Sequence, residues 1–313
     1  MAWLPALIVA PGLIAVVLHY GSLAKFAELA RNAHPGWLLP ALGAQIGTYV
    51  FAALSWRQVL HRAGERRPFR TLFRLSVAKL YTDQAIPTGG VSGSILVMKA
   101  LNRRGLSNSI GMAALLVSMV THYAADVVAA ITALGLLWLH QDADLAALGL
   151  VSAFVVVEIA IPVAVLWAKS RASDGQLPAW ITRLPVTEDA IEAVAAAPDE
   201  LLRDPRLIAE TFLCQLAIIL LDSLTLWLVS RAISAPIDYW MAFCGYTIGD
   251  AVAMVAPSPL GLGTFEAGTT GTLALLGMPV EAALSATILL RGLTFWLPMI
   301  PGLWIARHEV SRL

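Results

Sequence analysis

Apolar residues run along this chain in long blocks joined by short polar connectors. A helix that crosses a bilayer needs about 20 mostly apolar residues. Six blocks qualify: 4–20, 37–54, 107–138, 145–168, 207–230 and 282–304. Two more, near 71–101 and 238–277, are apolar but broken. Pro87-Thr88-Gly89-Gly90-Val91-Ser92-Gly93 interrupts the first, and Pro257-Ser258-Pro259-Leu260-Gly261-Leu262-Gly263 the second. Each predicts two half-length helices folded about a Pro/Gly turn.

The two broken blocks resemble one another. Pro87 and Gly93 have the spacing of Pro257 and Gly263, and Arg104-Gly105 and Leu276-Gly277 follow before a long apolar block. Basic residues, which accumulate in cytoplasmic loops, then give a topology. The connector after the second span carries Arg57, Arg62, Arg66, Arg67, Arg70 and Arg74 against Glu65. Assigned to the cytoplasm, it puts the N-terminus on the same side. Arg103 and Arg104 join that side only if 71–101 enters and returns on one face. Asp142 and Asp144 then fall outside. Lys169, Arg171, Arg203 and Arg206, flanking the connector 169–206, fall inside, as do Arg307 and Arg312. The second hairpin enters from the opposite face.

The expectation is therefore an all-α integral membrane protein, a single transmembrane domain over 1–313 with about six spanning helices. Two re-entrant helical hairpins, near 71–101 and 238–277, form an inverted repeat within it. Within the connector, 187–202 predicts a surface helix capped by Thr187. No Lys or Arg precedes the first apolar block, so a retained helix is expected rather than a cleaved leader.

Composition agrees with a bilayer environment. Of 313 residues 58% are hydrophobic and 13% charged, with mean hydropathy +0.74, against roughly 25% charged in soluble domains. Formal net charge is zero and no long run has one sign, which argues against nucleic acid as a partner. Cys214 and Cys244 lie in apolar blocks and make neither a disulfide framework nor a zinc cluster; no metal or cofactor is expected. No G-x-x-x-x-G-K-[ST] loop occurs, so ATP is not the expected driver. The tryptophans fall mostly near span ends, as in an interfacial belt.

Unwound backbone at membrane depth leaves amides and carbonyls that lipid cannot satisfy, and it is tolerated where it lines a cavity. Half-helix N-termini aim positive dipole ends at such a cavity. In transporters, paired interruptions of this kind mark the substrate site. Gly89, Gly90, Gly93, Gly261 and Gly263 are accordingly candidate substrate-binding positions. Ionisable residues within spans are costly and point to function. They are Lys79, Asp83, Lys99, His122, Asp126, Glu158, Asp222, Asp250, Glu266 and Arg291. Arg291 offers a planar fork suited to phosphate, with Glu266 and Asp250 as alternative ion-pair partners. Lys99 either approaches the same phosphate or snorkels to the interface. Asp126, Glu158 and Asp222 are candidates for proton or ion coupling. Lys79 and Asp83, and His122 and Asp126, are spaced to meet on one helix face.

Two stretches also resemble a known family. PTGGVSGSILVMKALNRRG, followed by a long apolar block with Asp126, is similar to the first signature of the lysylphosphatidylglycerol synthase transmembrane (flippase-like) family. PSPLGLGTFEAGTTGTLALLG, with LLRG at 289–292, is similar to the second. Ser94 and Lys99 stand where many members carry an acid and an Arg, and Ser118-Met119-Val120-Thr121-His122 replaces a Glu-Arg pair. The resemblance implies a stand-alone member without the soluble aminoacyl-transferase domain, a non-enzymatic protein that moves lipid headgroups between leaflets. It implies anionic or phosphate-bearing membrane lipids as partners, in a bacterial inner membrane with both termini cytoplasmic. A second copy of the chain or a lipid-synthesis enzyme is a compatible protein partner. Two other functions remain in view, an embedded enzyme acting on lipid-linked substrates and an accessory scaffold for a lipid or glycan-lipid pathway.

Overall fold

A computed structural model describes residues 28–29, 31–85, 91–140, 145–173, 194–255 and 263–310. All regular structure among them is helical. In chain order these are α1 (Pro35–Arg62), α2 (Phe69–Ala85), α3 (Val91–Asn102), α4 (Asn108–His140) and α5 (Leu145–Ser173). The single turn α6 (Asp199–Leu202), α7 (Pro205–Ala232), α8 (Tyr239–Val255) and α9 (Thr264–Leu275) follow. The last run is α10 (Val280–Arg291), a π-helical turn (Gly292–Trp296) and α11 (Leu297–Val310).

Five of these runs are long and apolar enough to cross a membrane: α1, α4, Gly149–Arg171 within α5, α7 and Val280–Ile305. They coincide with five of the six spans expected from the sequence. The remaining one, 4–20, lies outside the described residues.

Each broken block folds as a helix of 17 residues packed on one of 12, α2 with α3 and α8 with α9. At 1.5 Å per residue a helix of 12 reaches about 18 Å, short of a hydrocarbon core of about 30 Å. The helices before the pairs also match, α1 and α7 having 28 residues each and opening on Pro35 and Pro205, where the missing N–H costs no hydrogen bond. Gly64 and Ser234 follow them with φ of 78° and 60°, and Gly105 and Gly277 follow α3 and α9 with φ of 86° and 97°. The paired glycines noted in the sequence are thus left-handed helix stops.

α1 and α7 lie antiparallel and pack along their length. Arg62 at the end of α1 meets Asp204 at the start of α7, and its other nitrogen is 3.4 Å from Glu210. At the opposite end the His34 N–H donates to the Ala232 carbonyl at 2.9 Å. Around this spine the contacts come in matched sets. α2 packs on α1 and α11, while α8 packs on α7 and α4; α3 packs on α4, and α9 on α10. Both ends of the α2–α3 pair lie together near the start of α4, where the Arg67 guanidinium donates to the Arg104 carbonyl at 2.7 Å. The ends of the α8–α9 pair lie at the finish of α4. There His140 stacks on Trp240 with centroids 4.2 Å apart, and Leu276 packs with Phe243 and Leu137. The bundle thus has an arginine-rich end and an aromatic end.

Two local expectations need correction. The surface helix over 187–202 is broken before Pro198, leaving Asp199–Leu202 as a separate turn; Thr187 lies outside the described residues. The buried Lys169 ammonium donates to Asp199, so the connector is anchored to α5. Trp37, Trp138, Trp167 and Trp304 are exposed, as an interfacial belt requires, but Trp56 is 2% exposed and packs in the core with Val59, Leu72 and Leu101.

Candidate functional site

Ridges of apolar residues close most of the space between the helices, yet a cavity of about 380 Å³ remains at the centre of the bundle. It is reached by side chains from α1, α2, α3, α4, α5, α7, α8 and α9 and from the α10–π junction. Its polar lining includes Gln45, Lys79, Ser94, His122, Asp126, Asp222, Asp250 and Arg291. A lining so rich in charge inside an apolar bundle is costly unless the charges bind something or one another.

Arg291 is the last residue of α10, and the π-helical turn begins directly after it. Such turns insert one residue per turn and re-aim the side chains around them. Its Nε donates to Glu266 Oε1 at 2.9 Å, and both side chains are largely shielded, 14% and 21% exposed. The guanidinium lies over the Phe265 and Phe295 rings, with Cζ 4.7 and 5.2 Å from their centroids. Glu266 sits in the first turn of α9, and its Oε2 accepts the Gly263 N–H at 2.7 Å. One carboxylate therefore holds both the start of a half-length helix and the shielded cation. Gly263 has φ of 84°, a left-handed conformation that glycine adopts without steric cost.

Asp222 is 9% exposed and accepts from Gln45 Nε2 at 2.7 Å and Tyr246 Oη at 3.0 Å. Gln45 also donates to Thr225 Oγ1 at 2.9 Å. This network joins α1, α7 and α8 at the cavity wall. His122 Nε2 lies 3.4 Å from Asp126 Oδ2 on the same face of α4, as their spacing predicts. Among the described residues no group of three or more His, Cys, Asp or Glu is arranged to hold a metal. Cys214 and Cys244 are buried free thiols.

The structure thus brings Arg291, Glu266, Asp250, Asp126 and Asp222 to the cavity or its immediate border. Gly93 is buried in the first turn of α3, beside the cavity-lining Ser94. Lys99 does not reach the cavity: it is exposed in the last turn of α3, where its long stem takes the charge to the helix end. Glu158 is buried outside the cavity lining. Gly89, Gly90 and Gly261, and the side chain of Asp83, lie outside the described residues. Gln45 and Tyr246 were not singled out from the sequence. Their signal is a neutral polar group within an apolar block, which a search for ionisable residues passes over.

The lining combines a planar cation, whose carboxylate partner stands at its border, with several further acids in a bundle of apolar helices. That arrangement suits a charged group presented from the bilayer. A family model for the lysylphosphatidylglycerol synthase TM region matches residues 3–302 of the 313. No curated protein matches the chain. The match covers the two helix pairs, the cavity and the Glu266–Arg291 pair together, and it associates the chain with lipid metabolism or transport at the membrane. This multi-pass membrane protein belongs to the family of the lysylphosphatidylglycerol synthase transmembrane region.

Proposed function

We propose that the protein is a flippase-like lipid transporter that carries a phosphate-bearing headgroup between leaflets through the central cavity. The observation that carries this reading is the Glu266–Arg291 pair at the border of the cavity. A guanidinium already desolvated between two aromatic rings presents a planar fork to any phosphate that displaces its carboxylate. Glu266 keeps its bond to the Gly263 amide when it releases the cation. In this reading the site binds and releases its ligand without covalent chemistry.

The same reading takes the two helix pairs as re-entrant hairpins of an inverted repeat. Three features support it: the antiparallel α1 and α7, the matched contacts on either side of them, and the pair ends gathered at opposite ends of α4. Paired interrupted helices around a central site suit alternating access, in which one half rocks against the other. The arginine-rich end is assigned to the cytoplasm and the membrane to the bacterial inner membrane, with both termini cytoplasmic.

The test is headgroup movement in vesicles of phosphatidylglycerol and phosphatidylethanolamine carrying a reporter-tagged phosphatidylglycerol. Arg291→Gln is expected to abolish movement while the protein stays folded and monodisperse. Arg291→Lys keeps the charge without the fork, and an intermediate rate is expected. Wild-type rates in both variants would refute phosphate capture by Arg291.

A further inference from the structure

Glu158 has no role in the site described above, yet it is one of the most deeply buried charged side chains of the bundle. It is 3% exposed, and no hydrogen-bond partner reaches its Oε2 among the described residues. A carboxylate oxygen in that condition loses its hydration without replacement.

Its neighbours follow from helix register. Ala130 of α4, Phe154 of α5 and Ala251 of α8 pack in one cluster, and α4 and α5 run antiparallel through a short link. One turn back along α4 from Ala130 is Asp126, and one turn onward along α5 from Phe154 is Glu158. Both steps move toward the same end of the bundle, so the two carboxylates share a level. α8 is antiparallel to α4 as well, since Cys244 Sγ donates to the Ala133 carbonyl and His140 stacks on Trp240. Counting from Cys244 and Ala133 brings Asp250 to that level too. α5 packs on α4 and α8. The titratable groups around Glu158 are therefore Tyr123 and Asp126 from α4 and Asp250 from α8, with His122 beside Asp126 and Arg291 in electrostatic reach of Asp250. His122 lines the cavity with its side chain 51% exposed and touches Asp126, itself 9% exposed.

We propose that Glu158, Asp126 and Asp250 share and carry a proton, admitted from the cavity through His122, and that its passage drives lipid movement. Three like charges in one apolar layer repel, and a shared proton relieves that repulsion. The order of exposure gives the path. An imidazolium formed by cavity water passes its Nε2 proton to Asp126, and the proton moves to the unpartnered oxygen of Glu158. It leaves by the same O–H exchange when the cavity opens to the other side, and no other bond forms or breaks. The coupling rests on the transport reading above; the proton site does not.

Two measurements test it. In the vesicles described above, an imposed pH gradient is expected to speed movement of the tagged phosphatidylglycerol several-fold in the wild type. Glu158→Gln is expected to remove that acceleration while leaving movement without a gradient intact. Separately, infrared difference spectra of the purified protein are expected to contain a protonated-carboxyl band at neutral pH that Glu158→Gln removes and Asp222→Asn leaves. A band unaffected by Glu158→Gln overturns the proton site. A band lost in Glu158→Gln with no probe movement in the wild type supports the proton site and overturns the transport reading. Movement that is equally gradient-sensitive in wild type and Glu158→Gln overturns the coupling.

Discussion

The two helix pairs share a scaffold and differ in chemistry. Both are built from helices of 17 and 12 residues, and both close on a left-handed glycine, Gly105 or Gly277. Counted from those glycines, Glu266 lies eleven residues before and Arg291 fourteen after the second one. The same steps from Gly105 arrive at Ser94 and Met119, and both also line the cavity. The second pair carries a largely shielded ion pair where the first carries a hydroxyl and a thioether. The repeated features are those that build each pair, a helix of 17 residues against one of 12 that ends on a left-handed glycine. The ion pair is not required for that packing, since the first pair forms with Ser94 and Met119 at the matching positions. The contrast separates what the fold demands from what the site adds.

The largest expected effect tests that separation. Glu266→Gln removes the carboxylate to which Arg291 donates, and the loss is expected to be a large part of the ~3–5 kcal/mol that breaking a fully buried pair costs. The double variant Glu266→Gln/Arg291→Gln is expected to regain much of that loss. Ser94→Ala at the matching position of the first pair is expected to change stability by less than about 1 kcal/mol. Thermal unfolding of the four proteins in one detergent is the measurement. Equal losses at Glu266 and Ser94 would erase the distinction between the pairs.

The pairs also differ in how closely their helices approach. In the second, Gly245 faces Leu273, Gly249 faces Thr269 and Gly268 faces Val252, so α8 and α9 meet through small residues, as membrane helices often do. A Cβ on Gly249 would stand 2.0 Å from Thr269 Oγ1 and 3.1 Å from its backbone nitrogen. α2 has no glycine at all and instead receives Gly302 of α11, where a Cβ would stand 2.6 Å from Tyr81 Cβ. Gly249→Ala is expected to cost about 1–3 kcal/mol by overpacking and to slow headgroup movement. Gly271→Ala, in open space on the same helix pair, is expected to leave both unchanged. Equal behaviour of the two alanines in unfolding and transport assays would show that the close approach is unimportant.

Much of this contrast was legible in the sequence. Five of the spans and both broken blocks follow from apolar block length and Pro/Gly punctuation, and the cost of a buried charge narrows the partner of Arg291 to Glu266 or Asp250; the structure pairs it with Glu266. The sequence leaves Lys99 between phosphate and interface because its distance from a Pro/Gly turn says nothing of the end of α3 to which its stem carries the charge; the structure puts it at the exposed helix end. Trp56 was grouped with interfacial tryptophans because a span end in sequence is not always a bundle surface. Gln45 and Tyr246 stayed hidden for a different reason: only the packing of α1 against α7 and α8 reveals that Asp222 needs their hydrogen bonds.

The smallest expected effect concerns the ends of the bundle where the two pairs are rooted. The first pair is rooted at the arginine-rich end, where Arg62 meets Asp204 and Lys169 meets Asp199. The second is rooted among aromatic contacts, His140 on Trp240 and Arg231 over Trp227. Hydrogen bonds from the Leu207 and Arg206 amides, together with the Arg62 charge, hold Asp204 below its ordinary 3.8. The bond from Lys169 does the same for Asp199. A carboxylate whose folded value is depressed adds stability above its unfolded value, and loses it as pH falls through the folded one. The wild type is therefore expected to exceed Asp204→Asn in thermal midpoint above the ordinary value of 3.8. Because Asp204 is only partly buried and solvent screens it, the difference is expected to be small, and it should vanish as pH falls further. Trp240→Phe at the aromatic end lowers the midpoint by an amount that does not follow that titration. A pH profile shared by both variants would mean that the two roots are not held by different forces.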